Sequence, residues 1–407
     1  DADEDGVVDT GELKTTTYNW TYDTIGRLTD EVIDHWDNAI DQTESFTYDL
    51  TGNRLQLDRD RGNDGIDEVI TYEYDANDRL LEEVLNELSG SAGDTTTTYT
   101  YDHTQQRSKT VTATSSLDTL SAQHFTYNLQ GRIATVINES YTSGTLSSRE
   151  RTSYEYNSGS YRVQLLTHEG TTLGPLGTET WTLKSETSFL ADSRNFTGYT
   201  QTIRETTFNA DGTSKTIDYT IGHDEIAQRT VERDDEGTIT SDETLVFGHD
   251  GHASVRVLYD LATTVAGAIE QVVTFAAYGQ LLAVHGTAGT AVPATAALTS
   301  LGYSGEHFDA KAQQQYLRAR WYDPASGRFN RLDPFAGNMQ DPQSLHKYAY
   351  VHADPIQNTD PSGLMSLGSA MAGITVGATI GAIGLPVLAV AYRSAKGDIS
   401  PVKVWNN

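Results

Sequence analysis

The chain has 407 residues, enough for two or three ordinary domains or one large β body. Its 57 Asp and Glu against 28 Lys and Arg leave a formal charge of −29, which excludes the basic footprint of a nucleic-acid surface; no nucleic-acid partner is expected. The absence of Cys excludes disulfides, thiol catalysis and thiolate-ligated metals, and a hydrophobic share of 37%, below the ~45–50% of an average domain, favours an extended sheet or shell over one solid core.

The first residue is Asp, so the chain reads as a piece of a longer protein with an upstream part missing, and the lack of a leader says nothing about export. The first element, residues 1–13, carries Asp1, Asp3, Asp5, Val7 (through its carbonyl), Asp9 and Glu12 at the spacing of a 12-residue calcium loop, with Gly6 at the sharp turn. Thr15-Thr16-Thr17-Tyr18 then reads as strand, so a calcium-binding turn between repeats is expected rather than a true EF-hand, the alternative being a solvated acidic turn. Asp60-Arg61-Gly62-Asn63-Asp64-Gly65-Ile66-Asp67 is a weaker echo in which Gly62 replaces a ligand.

Residues 14–300 read as a repeat array. Trp20-Thr21-Tyr22-Asp23, Phe46-Thr47-Tyr48-Asp49, Tyr72-Glu73-Tyr74-Asp75, Tyr99-Thr100-Tyr101-Asp102, Phe125-Thr126-Tyr127-Asn128 and Tyr154-Glu155-Tyr156-Asn157 share one pattern, with the second Tyr recurring at steps of 26, 26, 27, 26 and 29 residues. Aromatics at i and i+2 share a sheet face, Asp or Asn opens a turn, Gly or Asn takes the positive-φ position, and Arg with an apolar residue starts the return strand. Such a hairpin cannot bury its aromatic face alone, so neighbours must stack. Strand chemistry continues through 178–187, 199–207 and 213–220; Phe247 to Arg256 forms a Gly- and His-rich element in which a structural role for His249 and His252 outweighs zinc. Residues 285–300 are small and apolar, a loop or linker.

A dense block occupies 301–364. Tyr303-Ser304-Gly305-Glu306, Tyr316-Leu317-Arg318-Ala319-Arg320-Trp321-Tyr322-Asp323-Pro324-Ala325-Ser326-Gly327-Arg328-Phe329, Arg331-Leu332-Asp333-Pro334, Tyr348-Ala349-Tyr350-Val351 and Asp360-Pro361-Ser362-Gly363-Leu364 follow one another. This block resembles the RHS-associated core, and with the repeats upstream the chain resembles the RHS/YD-repeat family, which holds polymorphic toxins, the C components of Tc toxin complexes and the shell of teneurins. The resemblance implies an all-β fold in which the hairpins stack into a spiralling hollow barrel or cocoon, closed by the core as a plug. It also implies, for several members, that the plug cuts the chain after the Leu of Asp-Pro-x-Gly-Leu to free an enclosed C-terminal effector. Carried over residue by residue, the cleaving residues fall on Arg320, Asp333 and Asp360, with Leu364–Met365 as the bond cut. Two carboxylates brought close divide acid and base roles, and an Arg holds one ionised. The first Asp-Pro departs from the family pattern, reading Asp333-Pro334-Phe335-Ala336-Gly337, which makes Asp341 the reserve. The structural alternative is that these aspartates only build turns, as Asp-Pro pairs do.

Residues 365–407 are Gly-rich and charge-free from Met365 to Tyr392, with Gly373, Gly377 and Gly381 at the spacing of packed membrane helices. A membrane-inserting helix, an apolar peptide inside the shell and a linker to a downstream effector all fit this composition. The expected function is encapsulation and delivery of a C-terminal polypeptide by a secreted or cell-surface shell, released by aspartyl-type self-cleavage. The alternative is an extracellular structural or adhesive scaffold whose tail anchors or pins it. A carbohydrate-binding face of strand aromatics is a third reading. No nucleophile elbow, P-loop or dinucleotide fingerprint supports a conventional enzyme pocket.

Overall fold

The computed structural model describes residues 15–89, 93–171, 173–195, 199–222, 225–260, 262, 268–340, 342–364 and 367–368. One antiparallel sheet of 21 strands runs from β1 (Thr17–Tyr22) to β21 (Ala291–Val292). Each strand pairs with the one that follows it in sequence, so the sheet is a meander of hairpins. Among the described residues there is no α-helix, and no ladder joins β1 to β21.

The repeat motif is legible as turn chemistry. Asp23 Oδ1 accepts the backbone N–H groups of Ile25 and Arg27, each at 3.0 Å, while its other oxygen accepts from Arg27 Nε at 2.7 Å. Asp75 repeats the set with Asn77, Arg79 and Arg79 Nε. The left-handed position falls immediately before the Arg, at Gly26 (φ 87°) and Gly131 (φ 72°). In the third repeat it is Asp78 (φ 59°), not Asn77, that takes it, because backbone geometry fixes the position and Asp tolerates that region locally.

The second Tyr of each unit pairs near the start of its own return strand at a register shift: Tyr22 with Leu28, Tyr48 with Arg54, Tyr74 with Leu80, Tyr101 with Gln106, Tyr127 with Ile133. Its hydroxyl then donates to a carbonyl of an earlier unit: Tyr48 to Leu28 (2.7 Å), Tyr74 to Arg54, Tyr127 to Gln106 and Tyr156 to Ile133 (each 2.8 Å). Arg27 covers the Tyr48 ring at 4.8 Å and Arg79 covers Tyr101 at 5.7 Å. The Tyr and the Arg thus stitch one hairpin to the next, which is why both recur. Tyr74→Phe is expected to lower stability by about 1 kcal/mol, the net worth of such a bond, read as a shift in the urea unfolding midpoint with unchanged slope.

Past Tyr156 the motif fades but the turn survives. At Asn209, Asp234 and Ala276 the same backbone pair recurs, in which residue n donates to n+4 and residue n+3 donates to n. Asp250 keeps the side-chain part as well, accepting from the N–H of His252 (2.9 Å) and Ser254 (3.0 Å) and from Arg256 Nε (2.6 Å). Phe247-Gly248-His249-Asp250 is therefore a further copy of the unit with His in the Tyr place. His252 bonds the Asn358 carbonyl and Ser304 Oγ, each at 3.1 Å, a structural role as expected.

The two ends of the sheet meet through side chains. Glu31 accepts from Trp20 Nε1 (2.9 Å) and from the Ala277 N–H (2.7 Å). Tyr48 and Tyr278 share a hydroxyl contact at 2.8 Å, and His285 reaches Asp37 at 2.9 Å. Burial, helped by the charge of Glu44, pushes Glu31 up to about 8.

Residues after 300 form a four-stranded sheet, β22 (Phe308–Asp309), β23 (Gln314–Leu317), β24 (Arg320–Asp323) and β25 (Arg328–Phe329), and a two-stranded ladder, β26 (Asn358–Thr359) with β27 (Leu367–Gly368). They pack on the face that the repeat aromatics line. Trp321 sits against Tyr154 and Tyr316, and Arg162 lies 4.1 Å from the Phe189 ring while pairing with Asp309 at 2.8 Å. Tyr322 stacks on Tyr350 at 4.0 Å within a cluster that joins Leu245, Phe247 and Val273 of the large sheet. Buried apolar contact thus couples the small block to the shell rather than filling one central core. Segment 348–350 makes only a bridge from Ala349 to Arg328; Val351, His352 and Ala353 then turn with positive φ (40°, 60°, 60°).

Candidate functional site

Leu317 pairs with Arg320 across a tight turn in which Arg318 adopts φ 66°. That turn aims Arg318 and Arg320 at the loop 360–364, which β26 and β27 close from either side. Arg320 is buried; its Nη2 lies 2.9 Å from Asp333 Oδ2 and 3.4 Å from Asp360 Oδ2. Those two oxygens are therefore no farther apart than the sum of 2.9 and 3.4 Å. Arg320 Nε donates to the Gly363 carbonyl, and the guanidinium lies 3.6 Å from the Phe329 ring centroid. Burial pulls Arg320 below its ordinary value while the two carboxylates oppose that pull.

Asp333 donates its N–H to Lys347 (2.9 Å) and caps Phe335 (2.7 Å). Asp360 Oδ1 accepts from the Leu364 N–H and from Ser362 Oγ, each at 3.1 Å. The Gly363–Leu364 peptide is consequently held at its oxygen by Arg320 and at its nitrogen by Asp360. Gly363 (φ 69°) lies so close to the turn that an added Cβ would sit 2.6 Å from the Leu317 oxygen and 2.8 Å from the Arg320 nitrogen. Arg320, Asp333, Asp360 and Leu364 are brought together; Met365 and the reserve Asp341 lie outside the described residues.

Sequence reasoning missed Arg318. Its Nη1 faces both Glu306 oxygens (2.9 and 2.8 Å) and donates to the Pro361 carbonyl, while Nε donates at 2.6 Å to the carbonyl of Thr200, immediately before the large-sheet strand Gln201–Asn209. The Arg-x-Arg spacing across the turn was the available signal. Asp323, the Asp of the first Asp-Pro pair in the block, both caps a turn and makes a long-range contact. It accepts from Ala325 N–H at 2.9 Å, and it pairs with Lys109 at 3.5 Å.

His346 anchors the segment between the two aspartates. Its Nδ1 accepts from the N–H groups of Tyr348 (3.1 Å) and Ala349 (2.9 Å), so its Nε2–H donates to Asn53 Oδ1 at 2.9 Å, a tautomer assigned from these partners. Burial, with Arg328 adding, pushes His346 down to about 3. A folded value below the unfolded one gives stability that is present above pH ~6.5 and lost as pH falls toward the folded value. The His346 ring resonances are expected to show no titration between pH 7 and 5 in NMR spectra of the folded protein.

Asp1, Asp3, Asp5, Val7, Asp9 and Glu12 lie outside the described residues, as does the tail apart from Leu367–Gly368. In the echo loop, Asp60 Oδ1 is used by the N–H groups of Asp64 and Gly65, and among the described residues no group of three or more His, Asp or Glu could hold a metal. No helix among the described residues is long and apolar enough to cross a membrane.

No family model matches the chain. The tRNA nuclease WapA of Bacillus subtilis (strain 168) is 39% identical over 61 residues, 15% of this chain and 3% of that protein. Salivary gland surface protein 1 of Aedes aegypti is 30% identical over 129 residues, 31% of this chain and 3% of that protein. Among solved structures, the TcdB2-TccC3 crystal structure aligns with 88% of this chain and 20% of its own at 15% identity, with a TM-score of 0.44. A Photorhabdus luminescens Tc holotoxin pore aligns with 86% of this chain and 20% of its own at 15% identity, with a TM-score of 0.31. The chain is thus similar to short stretches of much longer proteins, spanning 3% of these relatives and a fifth of these structures.

Proposed function

We propose that this chain is the shell and plug of an RHS-type delivery protein, secreted or at the cell surface, whose sheet encloses a C-terminal polypeptide and whose plug cuts its own chain after Leu364. The observation that carries the reading is a single buried Arg320 amino group placed between the Asp333 and Asp360 carboxylates, beside the loop that contains Leu364. Two carboxylates on one guanidinium are the set that an aspartyl-type cut uses, one to supply a proton and the other to activate water. Water oxygen adds to the Leu364 carbonyl carbon, the bond to the Met365 nitrogen breaks, and the protonated carboxyl supplies that nitrogen's proton. The reaction is intramolecular, so a scissile loop clamped by Arg318 and Arg320 gains from high effective concentration. A denaturing gel with intact mass of the purified chain tests it: two fragments meeting at Leu364–Met365 are expected, and a single chain of full mass overturns the cleavage.

The scaffold reading has one observation in its favour. Leu367–Gly368 pairs with Asn358–Thr359, so the chain just beyond the proposed cut is hydrogen-bonded to the plug. An uncut chain in the same gel supports this pinned form.

A further inference from the structure

A second cluster of reactive side chains lies where the plug meets the sheet, at the Asp323 end of β24. Strands β6 (Leu80–Glu87), β7 (Thr95–Asp102) and β8 (Gln105–Ala113) run side by side. In register, Tyr99 stands opposite Lys109 and Thr97 opposite Glu83. Thr97 and Tyr99 share the buried face, so the Glu83 and Lys109 side chains converge on it from either side. Asp323 enters this face from the plug. Lys109 Nζ is 3.5 Å from Asp323 Oδ2, with side chains 18% and 7% exposed, and lies 5.9 Å from the Tyr99 ring centroid. The other Asp323 oxygen accepts from the Ala325 N–H at 2.9 Å, which orients the carboxyl toward the amine.

Glu83 is the odd member. Its Oε1 and the Tyr99 hydroxyl are both buried, and the two side chains interact with each other rather than with solvent. Burial pushes the Glu83 carboxyl up, with Lys109 opposing and Asp323 adding. Burial pulls the Lys109 ammonium down, and the facing Asp323 and Glu83 outweigh it. Lys109, with Arg54 acting alongside it, faces Glu83 in a dry aromatic setting, and burial still leaves the Glu83 carboxyl raised, a natural resting place for a proton.

We propose that Lys109 and Asp323 condense into an intramolecular isopeptide bond, with Glu83 as the proton carrier. Glu83 takes a proton from the Lys109 ammonium. The freed amine attacks Asp323 Cγ, the Nζ–Cγ bond forms and one Cγ–O bond breaks. The departing oxygen leaves as water with the protons released from nitrogen, relayed by Glu83, so an ion pair becomes an amide plus one water without any co-reactant. Exclusion of solvent and a fixed contact favour this step: the buried ion pair is costly to keep, and the two reacting groups are held together. The product ties residues 214 apart and locks the plug to the sheet independently of any cut at Leu364.

Mass spectrometry of the denatured 407-residue chain after incubation at neutral pH decides it. The expected mass is one water below that of the sequence, and trypsin yields a branched peptide joining Lys109 to Asp323 with no cut after Lys109. If the chain is also cut after Leu364, both residues stay on the large fragment and the branched peptide is unaffected. Glu83→Gln and Lys109→Arg are expected to lose the branch entirely, and far-UV circular dichroism confirms that the Lys109→Arg sheet is folded. A full-mass wild-type chain, a linear peptide ending at Lys109, or a water loss confined to a linear peptide overturns the proposal.

Discussion

Asp360→Asn is expected to leave one uncut chain on a denaturing gel, with self-cleavage slowed by at least ~10²-fold, the usual contribution of a positioned acid or base. The amide oxygen of Asn can still accept from the Leu364 N–H and Ser362 Oγ, so the loop keeps its shape and the stability loss stays near 1 kcal/mol. Asn cannot ionise, and the contact with Arg320 loses its charge. Asp333→Asn is expected to act alike, since the same Arg320 amino group touches both carboxylates. Asp323→Ala serves as the control: it removes the pair with Lys109, which lies at another edge of the plug, and cleavage persists. A cut Asp360→Asn chain would defeat the carboxylate pair.

Gly363→Ala is expected to have a comparable effect by geometry alone. A methyl group there would stand 2.6 Å from the Leu317 oxygen, in a backbone conformation at φ 69° that L-residues adopt at a cost of about 1–3 kcal/mol. The hairpin cannot yield easily, because Leu317 and Arg320 are paired and Arg320 is buried. The loop must move instead, which withdraws the Gly363 carbonyl from Arg320 Nε and Leu364 from Asp360. A displacement of about 1 Å is enough to slow cleavage ~10²-fold. The melting transition of the large sheet should stay in place, because its turns and Tyr stitches do not touch Gly363. Cleavage at the wild-type rate in this variant would show that the loop's close approach to the hairpin is irrelevant to the cut.

The repeat was legible because its recurrence is local chemistry. Asp caps its own turn, the next residues tolerate or require positive φ, and the Tyr hydroxyl reaches back to a carbonyl of an earlier unit in four of the six copies. The fading of the motif after Tyr156 did not end the sheet. The backbone turn at Asn209, Asp234 and Ala276 kept its left-handed glycine, Gly212, Gly237 and Gly279, but lost the aromatic-x-Tyr pair before it, so the period was no longer visible. Arg318 was illegible for a different reason. Its partners Glu306, Thr200 and Pro361 are scattered along the chain, and only folding brings them to one guanidinium.

The amino-acid sequence by itself determined the strand-rich class, the period of the hairpins and the identity of Arg320, Asp333 and Asp360 as one candidate set. The class and the period follow from side-chain alternation and turn chemistry, which act over a few residues, whereas the candidate set follows from the resemblance of the 301–364 block to the RHS-associated core. Only the tertiary structure decided which peptide Arg320 and Asp360 hold, that Lys109 meets Asp323 across 214 residues, and that the two ends of the sheet meet through Glu31 and Tyr48. Such contacts depend on how segments distant in sequence seat against one another, a matter of packed shape and desolvated charge that no local pattern encodes.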